Sequence, residues 1–228
     1  MIKKVLLFDL DDTLVPSSHA YDIGMKALGI EPDDERYLQA RAEVKAICPP
    51  GYPATRSRRL YFKRYLEIGQ EYTPLRHLEI VDVYETAVTQ AIGDSWQALE
   101  RDRLFARLRA IAGVIGIVSN ETAAMQSAKL AACDPRWQHF DFIVTSEEVG
   151  YEKPNPVMFR RALEFAGGVQ PSECLFIGDN YEMDIVGSTS LGFDAIQSLE
   201  FVAEPRRHSM VIEKLDELID VLPAIFGA

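Results

Sequence analysis

The stretch VLLFDLDDTL, Val5 to Leu14, constrains this chain more than any other. Four apolar residues, Val5 to Phe8, have the pattern of a short strand buried on both faces. Three aspartates then follow within four positions, at Asp9, Asp11 and Asp12. Carboxylates crowded at the end of a core strand repel one another and resist losing water. A fold that keeps them there must set them where a ligand can offset the charge. The carboxyl edge of an open parallel sheet is such a place.

The rest of the chain supplies that sheet. Apolar runs at 114–118, 142–145 and 174–177, and a weaker one at 194–199, read as further buried strands. Helical patterns separate them. Leu104, Leu108 and Ile111 recur at helical spacing, and Asn155 followed by Pro156 has the form of an N-cap and first turn. Alternating strands and helices predict a Rossmann-like parallel sheet with helices on both faces. Residues 16–92 break the rhythm, with helical stretches at about 19–29, 34–47, 55–69 and 74–91 and breakers at EPDD and CPPGYP. The expected organisation is an α/β core from 1–15 and 93–228 carrying an all-helical cap at 16–92. VPSS and IGDS, near 15–18 and 89–95, have the composition of its two connectors. The pattern through Ile212, Leu215, Ile219 and Leu222 in SMVIEKLDELIDVL predicts a final amphipathic segment on the core.

Charge narrows the partners. The net charge is −11, and it is uneven: residues 16–92 carry 10 Lys/Arg against 11 Asp/Glu, the remainder 14 against 24. Nucleic acid and anionic membranes are therefore poor partners, and an anion bound to the acidic part calls for a metal cation between them. No run of about 18 apolar residues is present. Lys3 and Lys4 precede an apolar stretch too short for a signal-peptide core. Cys48, Cys133 and Cys174 are odd in number and widely spaced, as reduced thiols of a cytoplasmic protein would be.

In an extended segment residues i and i+2 share a side, so Asp9 and Asp11 point together beyond the first strand. A calcium loop of the EF-hand type counted from Asp9 fails, because its glycine and glutamate positions hold Leu14 and Ala20. Paired carboxylates suit the ligation of a hard cation, and also a division into nucleophile and general acid/base. Other strand ends carry complementary groups: Ser119 and Asn120 after the second, Lys153 in a loop before a helix, and Asp179 and Asp184 after the fourth.

FDLDDTL, IVSN, GYEKPNPVMF and IGDNYEMD, in this order, resemble the four motifs of the haloacid dehalogenase-like hydrolase superfamily. The helical insert resembles the cap of its phosphoglycolate phosphatase-like branch. The resemblance implies a phosphatase that hydrolyses a small phosphorylated metabolite through an aspartyl phosphate. It implies Asp9 as nucleophile and Asp11 as the acid that protonates the leaving oxygen and then the base that activates water. It implies Mg²⁺ held by Asp9, the Asp11 carbonyl, Asp179 and Asp184, the last directly or through water. Ser119, Asn120 and Lys153 would bind the phosphoryl group, Ser119 by donating a hydrogen bond and Lys153 by neutralising charge. Asp11 must then hold a proton near neutral pH, and the neighbouring carboxylates are expected to push it that way. A monomer or homodimer is expected.

Alternatives stay open at this point. A phosphomutase would keep the same aspartates, and a non-catalytic binding protein could use the same fold. A dehalogenase would lack Asp11, and a receiver-type signalling domain would lack both Asp11 and the insert. Arg56, Arg59 and Lys63 fall at i, i+3 and i+7, either as a ridge for a second anionic group or as a solvated helix face. His19 either touches substrate or lies at the surface. Tyr61, Phe62 and Tyr65 read as cap core.

Overall fold

The computed structural model describes residues 5–203, 205, 207 and 210–226. Lys3, Lys4 and Ser209, used above, and the outer ends of the core segments at 1–4 and 227–228 lie outside them. Among the described residues, six parallel strands stand in the order β3-β2-β1-β4-β5-β6: β1 Val5–Phe8, β2 Val114–Ser119, β3 Phe142–Thr145, β4 Cys174–Gly178, β5 Asp194–Ser198 and β6 Val211–Ile212. β1 is central, with Val5 level with both Val114 and Cys174, and Phe8 with Ile117 and Ile177. The Asp9 N–H extends the ladder to the Ile177 carbonyl at 2.9 Å. The central strand thus delivers Asp9 to the middle of the carboxyl edge.

The uniformly apolar strands follow from burial on both faces. Leu6 and Phe8 enter one core with Ile115, Ile117, Leu175 and Ile177, and Val5 and Leu7 enter the other with Val118, Phe159 and Phe176. The first of these cores continues into the insert through Phe62, Leu66, Tyr84, Val88 and Trp96.

Four helices build the insert: α1 Ser17–Ala27, α2 Glu35–Ile47, α3 Arg58–Ile68 and α4 Pro74–Ala98. Tyr61 and Phe62 are buried and Tyr65 packs against the core that holds Phe62, as expected of cap core. Core helices follow as α5 Arg101–Ile111, α6 Ala123–Cys133, α7 Ser146–Val149, α8 Pro156–Phe165, α9 Gly187–Thr189 and α10 Leu218–Phe226. Asn155 caps α8 by accepting from the Val157 N–H, with Pro156 in the first turn.

Two readings are corrected. IGDS is no connector: α4 runs unbroken through it, so the 92/93 boundary falls inside a helix. Gly93 instead allows α4 to approach α6, where an added Cβ would lie 3.2 Å from the Ala132 carbonyl oxygen. The final amphipathic pattern is not one helix. Ile212 belongs to β6, Leu215 to a 3₁₀ turn, and only Ile219 and Leu222 to α10. The Glu217 carboxylate accepts from the Glu213 and Lys214 N–H groups and starts the helix late.

The chain passes from α4 to α5 through Glu100, whose φ of 50° is left-handed. Beside it, fully buried Arg101 donates from Nε to the Leu14 carbonyl at 3.0 Å and lies 2.9 Å from Glu200. One side chain therefore joins both passages between insert and core.

Candidate active site

The carboxyl ends of β1, β2 and β4 supply most of the site, and the loop before α8 adds Lys153. Asp9, after β1, is buried and lies 2.9 Å from the Lys153 ammonium. Lys153 also donates to Asp184 Oδ1 at 2.6 Å. Asn120, after β2, holds the Lys153 main chain from two sides: its Oδ1 accepts from the Lys153 N–H at 2.6 Å and its Nδ2 donates to the carbonyl at 3.1 Å. The Asn120 amide is therefore engaged in placing Lys153. Ser119, at the end of β2, accepts from Gln126 Nε2 at 2.6 Å. Its own hydroxyl hydrogen is the part left to donate into the adjoining cavity.

Asp179 and Asp184 come from the loop after β4 and the π-helical turn Tyr181–Val186. Thr13 orients Asp179 by accepting from its N–H at 3.0 Å and donating to its Oδ1 at 3.2 Å. Asp184 is buried and accepts from the Asn180 N–H at 3.0 Å. Oxygens of Asp9, Asp179 and Asp184 all lie within 4.8 Å of one another.

Electrostatics explain what that trio lacks. Burial lifts the Asp9 carboxyl far above its ordinary 3.8, with Lys153 opposing and Asp184 and Asp11 adding to the rise. Burial likewise lifts Asp179, helped by Asp9 and Asp184. Burial lowers the proton affinity of the Lys153 ammonium, but its two carboxylate partners outweigh that and raise its pKa. One ammonium against three close carboxylates leaves negative charge in excess. An all-oxygen donor set of this kind fits a hard divalent cation.

Gly178 makes the approach of Asp184 possible. A Cβ there would lie 2.5 Å from the Asp184 Cβ, Cγ and Oδ2. Gly178→Ala is therefore expected to displace Asp184 and to weaken binding of a divalent cation, tested with Mg²⁺, by about tenfold or more, as a positioning change among metal ligands does. Isothermal titration would read it, and unchanged affinity would separate Asp184 from the metal site.

Asp11 departs from the sequence-based expectation. Burial pushes its carboxyl up, but the Lys129 ammonium at 2.5 Å, aided by a Gln126 hydrogen bond at 2.7 Å, brings it down to about 2. The expectation counted neighbouring carboxylates and had no cation to set against them. Lys129 and Gln126, both on α6, were not foreseen.

Above these residues lies a cavity of about 250 Å³, closed from the insert side by Tyr21, Arg56 and Arg58. Arg58 pairs with Glu121 at 2.9 Å and lies 3.6 Å over the Tyr21 ring. Arg56 grips Glu152 with two hydrogen bonds, of 3.1 and 3.3 Å. The ridge of Arg56, Arg59 and Lys63 is not continuous. Arg56 sits in a 3₁₀ turn before α3, while Arg59 pairs with Glu85 and Lys63 with Glu67 away from the cavity. His19 is exposed and does not line the cavity.

A parallel sheet with a carboxylate-rich edge and a buried lysine among the acids defines a class of hydrolytic core, and the comparisons agree with it. Residues 3–192 match the haloacid dehalogenase-like hydrolase family. The chain is 32% identical to the ribulose-1,5-bisphosphate 5-phosphatase of Halopiger xanaduensis, over 95% of its own length and 98% of that protein's. It is 32% identical to the phosphoserine phosphatase of Thermus thermophilus, covering 85% of this chain and 87% of the relative. The fold superposes with a TM-score of 0.67 on the magnesium-bound hydrolase YfnB of Bacillus subtilis, at 19% identity, over 97% of this chain and 99% of that one. The chain belongs to the haloacid dehalogenase-like hydrolases. Among the described residues, no helix is long and apolar enough to cross a membrane.

Proposed function

We propose that the protein is a Mg²⁺-dependent phosphatase of small phosphorylated metabolites that works through an aspartyl phosphate on Asp9. The observation that carries this reading is the meeting of Asp9, Lys153, Asp179 and Asp184 at the sheet edge, with Asp11 two residues beyond Asp9. Asp9, Asp179 and Asp184 would hold the cation, with the Asp11 carbonyl as a further ligand. When bound, it would supply the positive charge that lets a carboxylate approach a phosphate dianion.

The chain's own residues do the rest. An Asp9 oxygen attacks phosphorus, the bond to the leaving oxygen breaks, and that oxygen takes a proton from Asp11. Water then attacks the phosphorus of the aspartyl phosphate and gives a proton to Asp11, and the bond to Asp9 breaks. Lys153 balances charge in both steps, and the Ser119 hydroxyl donates to the phosphoryl oxygens. With Lys129 against it, Asp11 rests in the ionised form. The cycle therefore requires it to gain a proton when substrate binds.

The size of the cavity and the two arginines above it support a small substrate bearing a second anionic group, which would compete with Glu152 for Arg56 or with Glu121 for Arg58. The two phosphatases compared above act, by their names, on a bisphosphate and on a phosphoamino acid. Phosphate release from a panel of phosphorylated metabolites in Mg²⁺ tests the activity; no release from any of them would overturn it. Replacing Arg56 and Arg58 by glutamine should raise KM for such a substrate about tenfold or more, as loss of a charge-assisted contact does. Hydrolysis of an aryl phosphate should change much less. Equal losses on both substrates would reduce the two arginines to supports of the cap.

A further inference from the structure

We propose that Lys129 and Gln126 are positioning residues that hold the Asp11 carboxylate for its proton transfers and tie it to Ser119. Each reaches a different oxygen. Lys129 Nζ lies 2.5 Å from Asp11 Oδ1, and Gln126 Nε2 donates to Oδ2 at 2.7 Å. Tyr21, from the insert, adds a weaker contact to Oδ1 at 3.3 Å. The second hydrogen of the Gln126 amide goes to Ser119 Oγ at 2.6 Å. A carboxylate accepts only, so Gln126 must present its NH₂ group here, and one amide thereby spaces Asp11 from Ser119.

Packing alone does not call for these residues. Both are 0% exposed, on the face of α6 that also buries Met125, Leu130 and Cys133. An apolar side chain would fill that face equally well as far as packing is concerned. A buried ammonium must be paired to be tolerated. Gln126 Oε1 is buried with no hydrogen-bond partner among the described residues, a further cost. Neither residue lines the cavity, so neither reaches substrate, and any effect on the reaction passes through Asp11 and Ser119. A carboxylate gripped at both oxygens cannot turn about its own bonds, which is the requirement of proton transfer to a fixed leaving oxygen.

The inference rests on the acid/base reading of Asp11, and the test separates the two. Lys129→Met and Gln126→Leu are compared with Asp11→Asn on an alkyl phosphate and on 2,4-dinitrophenyl phosphate, whose leaving group departs without a proton. With the alkyl phosphate, kcat of Lys129→Met should fall about 10²–10³-fold at little change in KM, the lost orientation of the carboxyl outweighing its easier protonation once no ammonium faces it. With the dinitrophenyl ester, rapid mixing should show a burst of one phenolate per enzyme, then a steady state slower than the parent's. In that steady state water attack on the aspartyl phosphate has lost its oriented base. Lys129→Arg should recover part of the loss, and Gln126→Leu should show the same pattern more weakly.

Equal losses on both substrates with no burst, or no loss on either, would overturn the inference. If Asp11→Asn shows the pattern and the α6 variants do not, the inference alone fails. If Asp11→Asn itself lacks the pattern, the acid/base reading falls and the inference with it. Should Lys129→Met fail to fold by circular dichroism, Gln126→Leu, which changes no charge, decides on the same criteria.

Discussion

Asp9→Asn is expected to lower phosphate release by at least about 10³-fold, since an amide oxygen is a poor nucleophile and no other carboxylate replaces it. The fold should survive. Asparagine is isosteric, the Asp9 N–H keeps its bond to Ile177, and Lys153 keeps Asp184. Removing one of three crowded carboxylates also relieves repulsion that the metal-free protein otherwise carries. A melting temperature within a few degrees of the parent's, together with lost turnover, is the expected pair of results. Near-normal turnover would remove Asp9 from the role of nucleophile.

The second large effect concerns metal and pH together. Excess chelator should abolish activity and Mg²⁺ should restore it. Full activity in chelator would remove the proposed mechanism. The acidic trio adds a sign that stability measurements can read. Burial holds the carboxyls of Asp9 and Asp179 up to about 7 and about 8, against an ordinary 3.8. A carboxyl whose folded pKa is raised favours the folded state only while it keeps its proton. Its contribution is complete below about 3.8 and is lost as pH rises through the raised value. The metal-free protein should therefore lose stability from these groups between about pH 4 and pH 8. Asp11 works in the opposite direction, but its pKa of about 2 confines its effect to more acid solution. Mg²⁺ at the proposed site would bind the ionised carboxylates, so the rise in Tm it gives should be larger near pH 8 than near pH 5.5. An equal rise at both, or none, would separate the trio from metal binding.

Much of this site could be read along the chain because carboxylates ending apolar runs are costly unless used. Asp9, Lys153, Asp179 and Asp184 do converge: Asp9 and Asp179 follow strands whose burial on both faces makes them legible, and Lys153 stands just before the Asn155–Pro156 helix start. What escaped did so for identifiable reasons. Gln126 and Lys129 were passed over because polar residues on a helix usually face water. The signal was their place on the face shared by Met125, Leu130 and Cys133. Arg58 was hidden by counting a helix from residue 55, when α3 starts at Arg58 itself. β6 is two residues long and sits inside a helical spacing, so periodicity could not separate it. Gly93 and Ser95 looked like chain breakers, yet the glycine serves helix–helix approach and the Ser95 hydroxyl donates back to the Ala91 carbonyl.

An unbroken helix of 25 residues is a rod about 37 Å long. The N-terminal half of α4 packs on α1 and α3, where Tyr84 lies near Arg58 of the cavity roof, and near its C-terminal end it bears on α6. Its contact there, Gly93 on the Ala132 carbonyl, is about one helical turn from Lys129. A rod absorbs little displacement along its length, so the fit of the roof and the grip on Asp11 share one mechanical support. A substitution that tilts α4 anywhere between Pro74 and Ala98 would be felt at both.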